Sequence, residues 1–236
     1  MSRKFLNVRG FTLTELLVAI AIIGVLATIL MPAIRNVQEK AHMTECGNNL
    51  RQVSVLFELY KHDNDFELPA PGIHSGGSWR IWDHTVLMSY MDDARVNDIM
   101  NENQREDGTI FQCPTAQTVL EENGKNGVAN NWGYGMNKFL PPRGNATYYT
   151  HTQIKMPSKV FDPSKTALVM DAEHSIISPL AGDMVHIENA SLRHGGKVNV
   201  LFIDGHIEQV AFDDIPAQGA DGAAEFWEGK ASSPSS

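Results

Sequence analysis

His194, Asp204 and His206 are the residues whose types could hold a metal ion or move a proton. Two imidazoles and a carboxylate suit zinc-like ions, and such an ion would support metal-dependent hydrolysis. Asp171, Glu173 and His174 follow another strand-like run and could join the set. A simpler expectation stands beside this one. Asp204-Gly205 makes a hairpin turn, and the histidines are polar residues at strand edges. "DND" (Asp63 to Asp65) and "DGAAE" (Asp221 to Glu225) offer hard oxygen ligands for calcium. Neither completes an EF-hand pattern, so a helix-ending turn and a solvated tail are the ordinary expectations. The chain shows no nucleophile elbow, phosphate loop or dinucleotide fingerprint. We therefore expect no enzyme and no resident cofactor; calcium and a metal at His194, Asp204 and His206 are the candidates to weigh against that.

The two cysteines, Cys46 and Cys113, lack metal-site spacing, and two thiols allow one intrachain disulfide. Compartment decides whether it forms. If it does not, Cys46 is a small residue packed on an apolar helical face. Six aromatics (Trp79, Trp82, Trp132, Tyr134, Tyr148 and Tyr149) could instead line a ligand-binding surface, against the alternative of core and loop packing.

The chain has 236 residues, with 28 Asp+Glu against 19 Lys+Arg. Three of the basic residues (Arg3, Lys4 and Arg9) precede residue 10, and without them the balance is 16 against 28. Such a surface repels phosphate, so a nucleic-acid partner is not expected.

These candidates must be positioned by something, and the clearest element comes first. Leu16 to Ile34 is a nineteen-residue stretch without a charge. As a helix it extends about 28 Å, close to the hydrocarbon thickness of a bilayer. The preceding basic residues place its start in the cytoplasm and the remainder of the chain outside. A buried core helix would carry a polar face, which this run lacks. A cleaved secretory signal would put Met31 where a small residue is needed for a cut after Ala33. Glu15 stands at the mouth of the run, where a charge is costly without a partner. A cut between Gly10 and Phe11 would create an α-ammonium at Phe11, one helical turn from Glu15, able to pair within or between subunits.

Gly10-Phe11-Thr12-Leu13-Thr14-Glu15-Leu16-Leu17 resembles the N-terminal signal of type IV prepilins and type II secretion pseudopilins. The resemblance implies that a membrane prepilin peptidase cuts after Gly10 and N-methylates Phe11. It also implies that Glu15 pairs with the N-terminus of an adjacent subunit during assembly. Pro32 matches a proline that kinks the stem helix in that family. Thr14 departs from the family's usual Ile or Val. "RHGGKVNVLFIDGHIE" resembles a C-terminal element of many prepilin-like proteins, notably planctomycete, verrucomicrobial and lentisphaeral ones. That element is His194, nine residues, then Asp204-Gly205. "CGNNLRQ", "FQCP" and "PSKTALVMDA" look like further shared elements. The implied function is a structural filament subunit of a pseudopilus or type IV pilus-like filament. Its partners would be the peptidase, other pilin or pseudopilin subunits, an inner-membrane assembly platform and membrane lipid. A minor tip pilin that binds a ligand is the alternative, and a membrane-tethered hydrolase a further one. The implied location is the inner membrane, single-pass, with the head outside the cytoplasm. There a Cys46–Cys113 bond is permitted.

The expected fold is α+β: a long N-terminal helix packed on a small head with an antiparallel sheet. Residues 1–10 are a leader, 11–61 the stem helix, 62–216 the head and 217–236 a loose tail. Apolar residues at Val37, Ala41, Cys46, Leu50, Val53, Phe57 and Tyr60 continue the helix beyond the membrane. Trp79 to Met91 and Arg95 to Gln104 read as short helices, and Gly108 to Thr115 as an extended piece. Lys165 to Ala172, Lys197 to Ile203 and His206 to Phe212 read as strands of a three-stranded sheet. The last two are joined through a type I′ turn at Asp204-Gly205.

Overall fold

The computed structural model describes residues 13–75, 78–82, 86–91, 110–116, 133–140, 153–154 and 162–230. The segment from Arg95 to Gln104 lies outside them, as do Gly10 and Phe11. Contacts divide the chain into two units, Met1–Lys40 and Ala41–Ser236.

Helix α1 covers Leu13–Asp63, and the unit boundary falls inside it. In the first unit, every residue from Leu13 to Met31 is exposed, although the run is long and apolar enough to cross a membrane. A soluble core helix would bury such residues. The Thr28 hydroxyl donates to the Val25 carbonyl at 2.7 Å, so its polar group is satisfied within the helix. That matters in lipid, where no water would serve it.

In the second unit, α1 changes character. Cys46, Leu50, Val53, Leu56, Phe57 and Tyr60 are buried at spacings of three and four, which places them on one face. The helix ends where the sequence turns polar. The amide of Phe66 donates to Lys61 at 2.8 Å, and Asn64 Nδ2 caps the Tyr60 carbonyl at 2.8 Å.

Nine short strands come after it among the described residues. Strand β1 (Leu68–Pro69) pairs with β5 (Gln153–Ile154), and β2 (Gly72–Ser75) pairs with β3 (Ser78–Ile81). The remaining five form one mixed sheet. They are β4 (Tyr134–Asn137), β6 (Ala167–Asp171), β7 (Ile176–Ile177), β8 (Lys197–Phe202) and β9 (Ile207–Ala211), in the order β7-β4-β6-β8-β9. All neighbours are antiparallel except β4 and β7. The three strands read from sequence are adjacent, and β4 and β7 extend them on one side.

Alternation along β8 sets the layers. Leu201 packs with the α1 face, whereas Val198, Val200 and Phe202 pack with the opposite cluster. That second cluster includes Ile187 and Ala190 of α2 (Ala181–Leu192) and Trp227 of α3 (Ala223–Glu228). The sheet is thus covered on both faces, by Cys46 to Tyr60 on one and by two later helices on the other. Gly135 in β4 is one place where only glycine fits: an added Cβ would lie 2.5 Å from the His174 carbonyl and 2.6 Å from Ile177 Cγ2.

Four local expectations differ from the structure. Ser78–Ile81 is a strand of the β2–β3 hairpin, and among the described residues a tight helical turn spans Leu87–Tyr90. The spacing of Trp79 and Trp82 fits a helix, but Trp-Arg-Ile also alternates, and the hairpin partner decides. Ile110 to Gln112 form a turn and Pro114 to Ala116 one helical turn, not an extended piece. The Asp204-Gly205 turn is not type I′. Only Gly205 has positive φ (+89°), and the amides of Gly205 and Phe202 bond the carbonyls of Phe202 and His206, the pattern of a type I turn with a glycine bulge.

The fourth difference is the tail. Residues from Ala217 are not loose throughout: α3 buries Trp227 completely, and its indole donates to the Pro216 carbonyl at 2.6 Å. Asn137 Nδ2 bridges the carbonyls of Trp227 and Ala167, both at 2.8 Å, which ties α3 to the sheet. One large aromatic outweighs the local Ala/Gly composition.

Candidate functional site

Two regions carry the chemistry: the start of α1 and a buried polar cluster at one end of β8. In the first, Glu15 is the acidic residue of the first turn of α1, followed by the exposed apolar run to Met31. A carboxylate at a helix N-terminus is favoured by the peptide dipoles.

The second region is built by the exit of α2. The amides of His194 and Gly196 donate to the Ser191 carbonyl at 2.9 Å, and Gly195 and Gly196 take φ of +65° and +83°. Two left-handed residues in succession turn the chain sharply into β8. This turn drives the His194 side chain inward, where it is wholly buried. Its Nε2 lies 3.3 Å from Cys113 Sγ, 3.5 Å from Thr115 Oγ1 and 3.7 Å from Asp171 Oδ2.

Cys113 is bonded to Cys46, with their Cα atoms 5.1 Å apart. The bridge joins α1 to the Ile110–Ala116 segment. Tyr134 donates its hydroxyl to the Cys46 carbonyl at 3.1 Å, and Asn49 Nδ2 donates to the Gln112 carbonyl at 3.0 Å.

Asp171 ends β6 in the middle of the sheet and is fully buried. Its Oδ2 accepts from the Asn199 amide at 2.7 Å and from Asn199 Nδ2 at 2.9 Å. Burial pushes this carboxyl up to about 7, against the lowering effects of the Asn199 amide and the Arg193 charge. Burial likewise pushes His194 down to about 4, with Arg193 and His42 adding to the effect. Arg193 is itself lowered by burial and held up by Asp171 and Glu173; its Nη1 lies 3.6 Å from Glu173 Oε1. Tyr134 is raised well above its usual range by burial and by Asp171. Near neutral pH the imidazole is therefore uncharged, and Asp171 keeps much of its proton.

His194, Asp204 and His206 do not assemble. Asp204 and His206 sit at the far end of β8, paired with each other through Nδ1 and Oδ1 at 2.5 Å. The His206 ring stacks on Phe202 at 4.4 Å. Asp171 does reach His194, but Glu173 binds Asn189 Nδ2 at 2.8 Å, and His174 bonds the Ile176 carbonyl. Asp63, Asp65 and Asp221 are exposed, and Glu225 faces Lys165 at 3.4 Å.

Of the aromatics, Trp82 and Tyr134 are core residues. Trp82 stacks on Phe57 at 5.7 Å and donates Nε1 to the Ser175 carbonyl at 2.7 Å. Trp132, Tyr148 and Tyr149 lie outside the described residues. Sequence reasoning missed Asn199, Arg193, Thr115 and Asn49. The signal for Asn199 was present: one amide within the apolar run Val198 to Phe202 needs a buried partner.

Chemically the cluster is closed. Both sulfurs are buried, and the bonds made by the disulfide, His194 Nε2, Asp171 Oδ2 and the Tyr134 hydroxyl tie α1, the Ile110–Ala116 segment, β4, β6, β8 and the α2 exit together.

Residues 6–31 match the prokaryotic N-terminal methylation motif. The chain is 39% identical over 56 residues to the type II secretion system core protein G of Escherichia coli, covering 24% of this chain and 39% of that one. It is 37% identical over 57 residues to core protein G of Pectobacterium carotovorum, covering 24% and 36%. It is 39% identical over 59 residues to the type IV wide pilus major component PilA4 of Thermus thermophilus, covering 25% and 45%. The match therefore spans less than half the length of these curated relatives. No solved structure matches the chain. The chain has an α+β, pilin-like fold, with an N-terminal apolar helix and a mixed five-stranded sheet in its head.

Proposed function

We propose that this protein is a structural subunit of a pseudopilus or type IV pilus-like filament. One observation carries the reading: the methylation motif over residues 6–31 coincides with an exposed apolar helix that opens on Glu15. The chain is inserted in the inner membrane through Leu13–Met31, N-terminus in the cytoplasm and head outside. A prepilin peptidase removes residues 1–10 and methylates Phe11. Glu15 then takes the new α-ammonium of a neighbouring subunit as its counter-ion, which makes a carboxylate tolerable at the lipid boundary. Further copies, or related subunits, and an inner-membrane assembly platform are the partners. Its work is mechanical, not catalytic, and the sealed disulfide cluster suits an oxidising exterior.

Intact mass and N-terminal sequence of the membrane-extracted protein, made alongside a prepilin peptidase, test this reading. The expected product begins at an N-methylated Phe11. A chain that keeps Met1, or is cut at another bond, overturns it.

A further inference from the structure

The buried ends of Cys46, Cys113 and His194 bring two sulfurs and one imidazole nitrogen within 4.8 Å of one another. Cys113 Sγ and His194 Nε2 are 3.3 Å apart. Two such ligands on one tetrahedral zinc ion lie about 3.5 Å apart. Thr115 Oγ1 faces the same point, 3.0 Å from Cys113 Sγ and 3.5 Å from His194 Nε2. The surroundings are polar as well. Asp171 Oδ1, Arg193 Nε and Nη2, and His194 Nδ1 are buried with no hydrogen-bond partner among the described residues.

We propose that, in the dithiol form of the chain, Cys46, Cys113 and His194 make a zinc site, with a water beside Thr115 as fourth ligand. Two thiolates and an imidazole select a soft or borderline d10 ion over calcium or magnesium. The disulfide and the metal are alternative cross-links between α1 and the Ile110–Ala116 segment, because both use the same two sulfurs. The dithiol is the state in which cysteines are synthesised, so the site exists before oxidation without any reductant. Zinc binding displaces the two thiol protons, and later thiol–disulfide exchange with an external disulfide, which is cleaved and takes up the two electrons and two protons from water, forms the Cys46–Cys113 bond and releases the ion. The filament reading can fail without affecting this site, and the reverse is also true.

The test uses the full-length protein in detergent, reduced without air by a trialkylphosphine. In that step water supplies the oxygen of the phosphine oxide and the two thiol protons, and the S–S bond breaks. Cobalt(II) is then titrated as the spectroscopic probe. One equivalent gives a thiolate-to-cobalt charge-transfer band and intense tetrahedral visible bands, both abolished by one equivalent of zinc. The disulfide form gives neither. His194→Ala weakens cobalt binding at least tenfold, and Cys46→Ser removes the charge-transfer band of a bis-thiolate site. His206→Ala, at the other end of β8, binds as the wild type does. The proposal is overturned if the reduced wild type shows titratable thiols but no charge-transfer band. It is also overturned if His206→Ala loses cobalt as His194→Ala does, or if His194→Ala loses nothing.

Discussion

His194 and Asp204 stand at opposite ends of β8, separated by its six residues, a rise of roughly 20 Å. The spacing of nine residues between them is thus the length of one strand with its two turns, not the spacing of two ligands. Each end has its own task. The glycines after His194 turn the α2 exit inward, and Gly205 closes the β8–β9 hairpin with φ of +89°.

Gly205→Ala places a Cβ in the left-handed region and should cost about 1–2 kcal/mol. Urea unfolding of the head should show this loss, while the environment of the buried tryptophans is kept. A loss of tryptophan packing in the folded variant would mean that the turn does more than reverse the chain.

The disulfide closes a loop across a separation of 67 residues, worth about 4 kcal/mol in the chain-entropy account. The double variant Cys46→Ser, Cys113→Ser should unfold at markedly lower denaturant under non-reducing conditions. Equal midpoints for variant and wild type would show that the bridge does not constrain the unfolded chain.

Trp227 is the anchor of α3. Trp227→Ala should destabilise the head by about 3–5 kcal/mol, the usual cost of emptying a large aromatic site. Protease resistance of the second unit offers a simple readout. Unchanged resistance would restore the picture of a loose tail.

Asp171 and His194 make opposite contributions to pH dependence in the disulfide form. Burial raises Asp171 to about 7, so the folded state holds that proton where the unfolded chain has lost it. Its contribution is full below the ordinary carboxylate range and is lost as pH rises toward 7. His194 is lowered to about 4, so its contribution is full above 6.5 and is lost as pH falls toward 4. The two windows overlap and largely cancel. Asp171→Asn should leave stability that rises with pH between about 4 and 6.5, and His194→Gln stability that falls between about 4 and 7. Melting curves with parallel pH dependence in both variants would contradict this assignment.

Glu15→Ala should be processed at the membrane yet fail to enter filaments. Its mature mass and its absence from sheared filament fractions are the two measurements. Normal incorporation would remove the role given to the carboxylate.

Much of this protein was determined by short-range sequence. A run of apolar residues from Leu16 to Ile34 can only be helical in lipid, because every backbone group must be satisfied within the segment. The strands at Ala167–Asp171, Lys197–Phe202 and Ile207–Ala211 are legible for a similar reason, since β-branched and apolar runs bounded by turn residues carry their own preference. Contacts across the sheet were beyond that reach. Only the strand order brings Asp171, Asn199 and His194 to one end of the sheet and leaves Asp204 at the other. The strand at Ser78–Ile81 and the helix around Trp227 were decided in the same way. Each sequence is locally ambivalent: pairing with Gly72–Ser75 settles the first, and burial of Trp227 settles the second. Local propensity amounts to tenths of a kcal/mol per residue, whereas burying one large side chain is worth several times more.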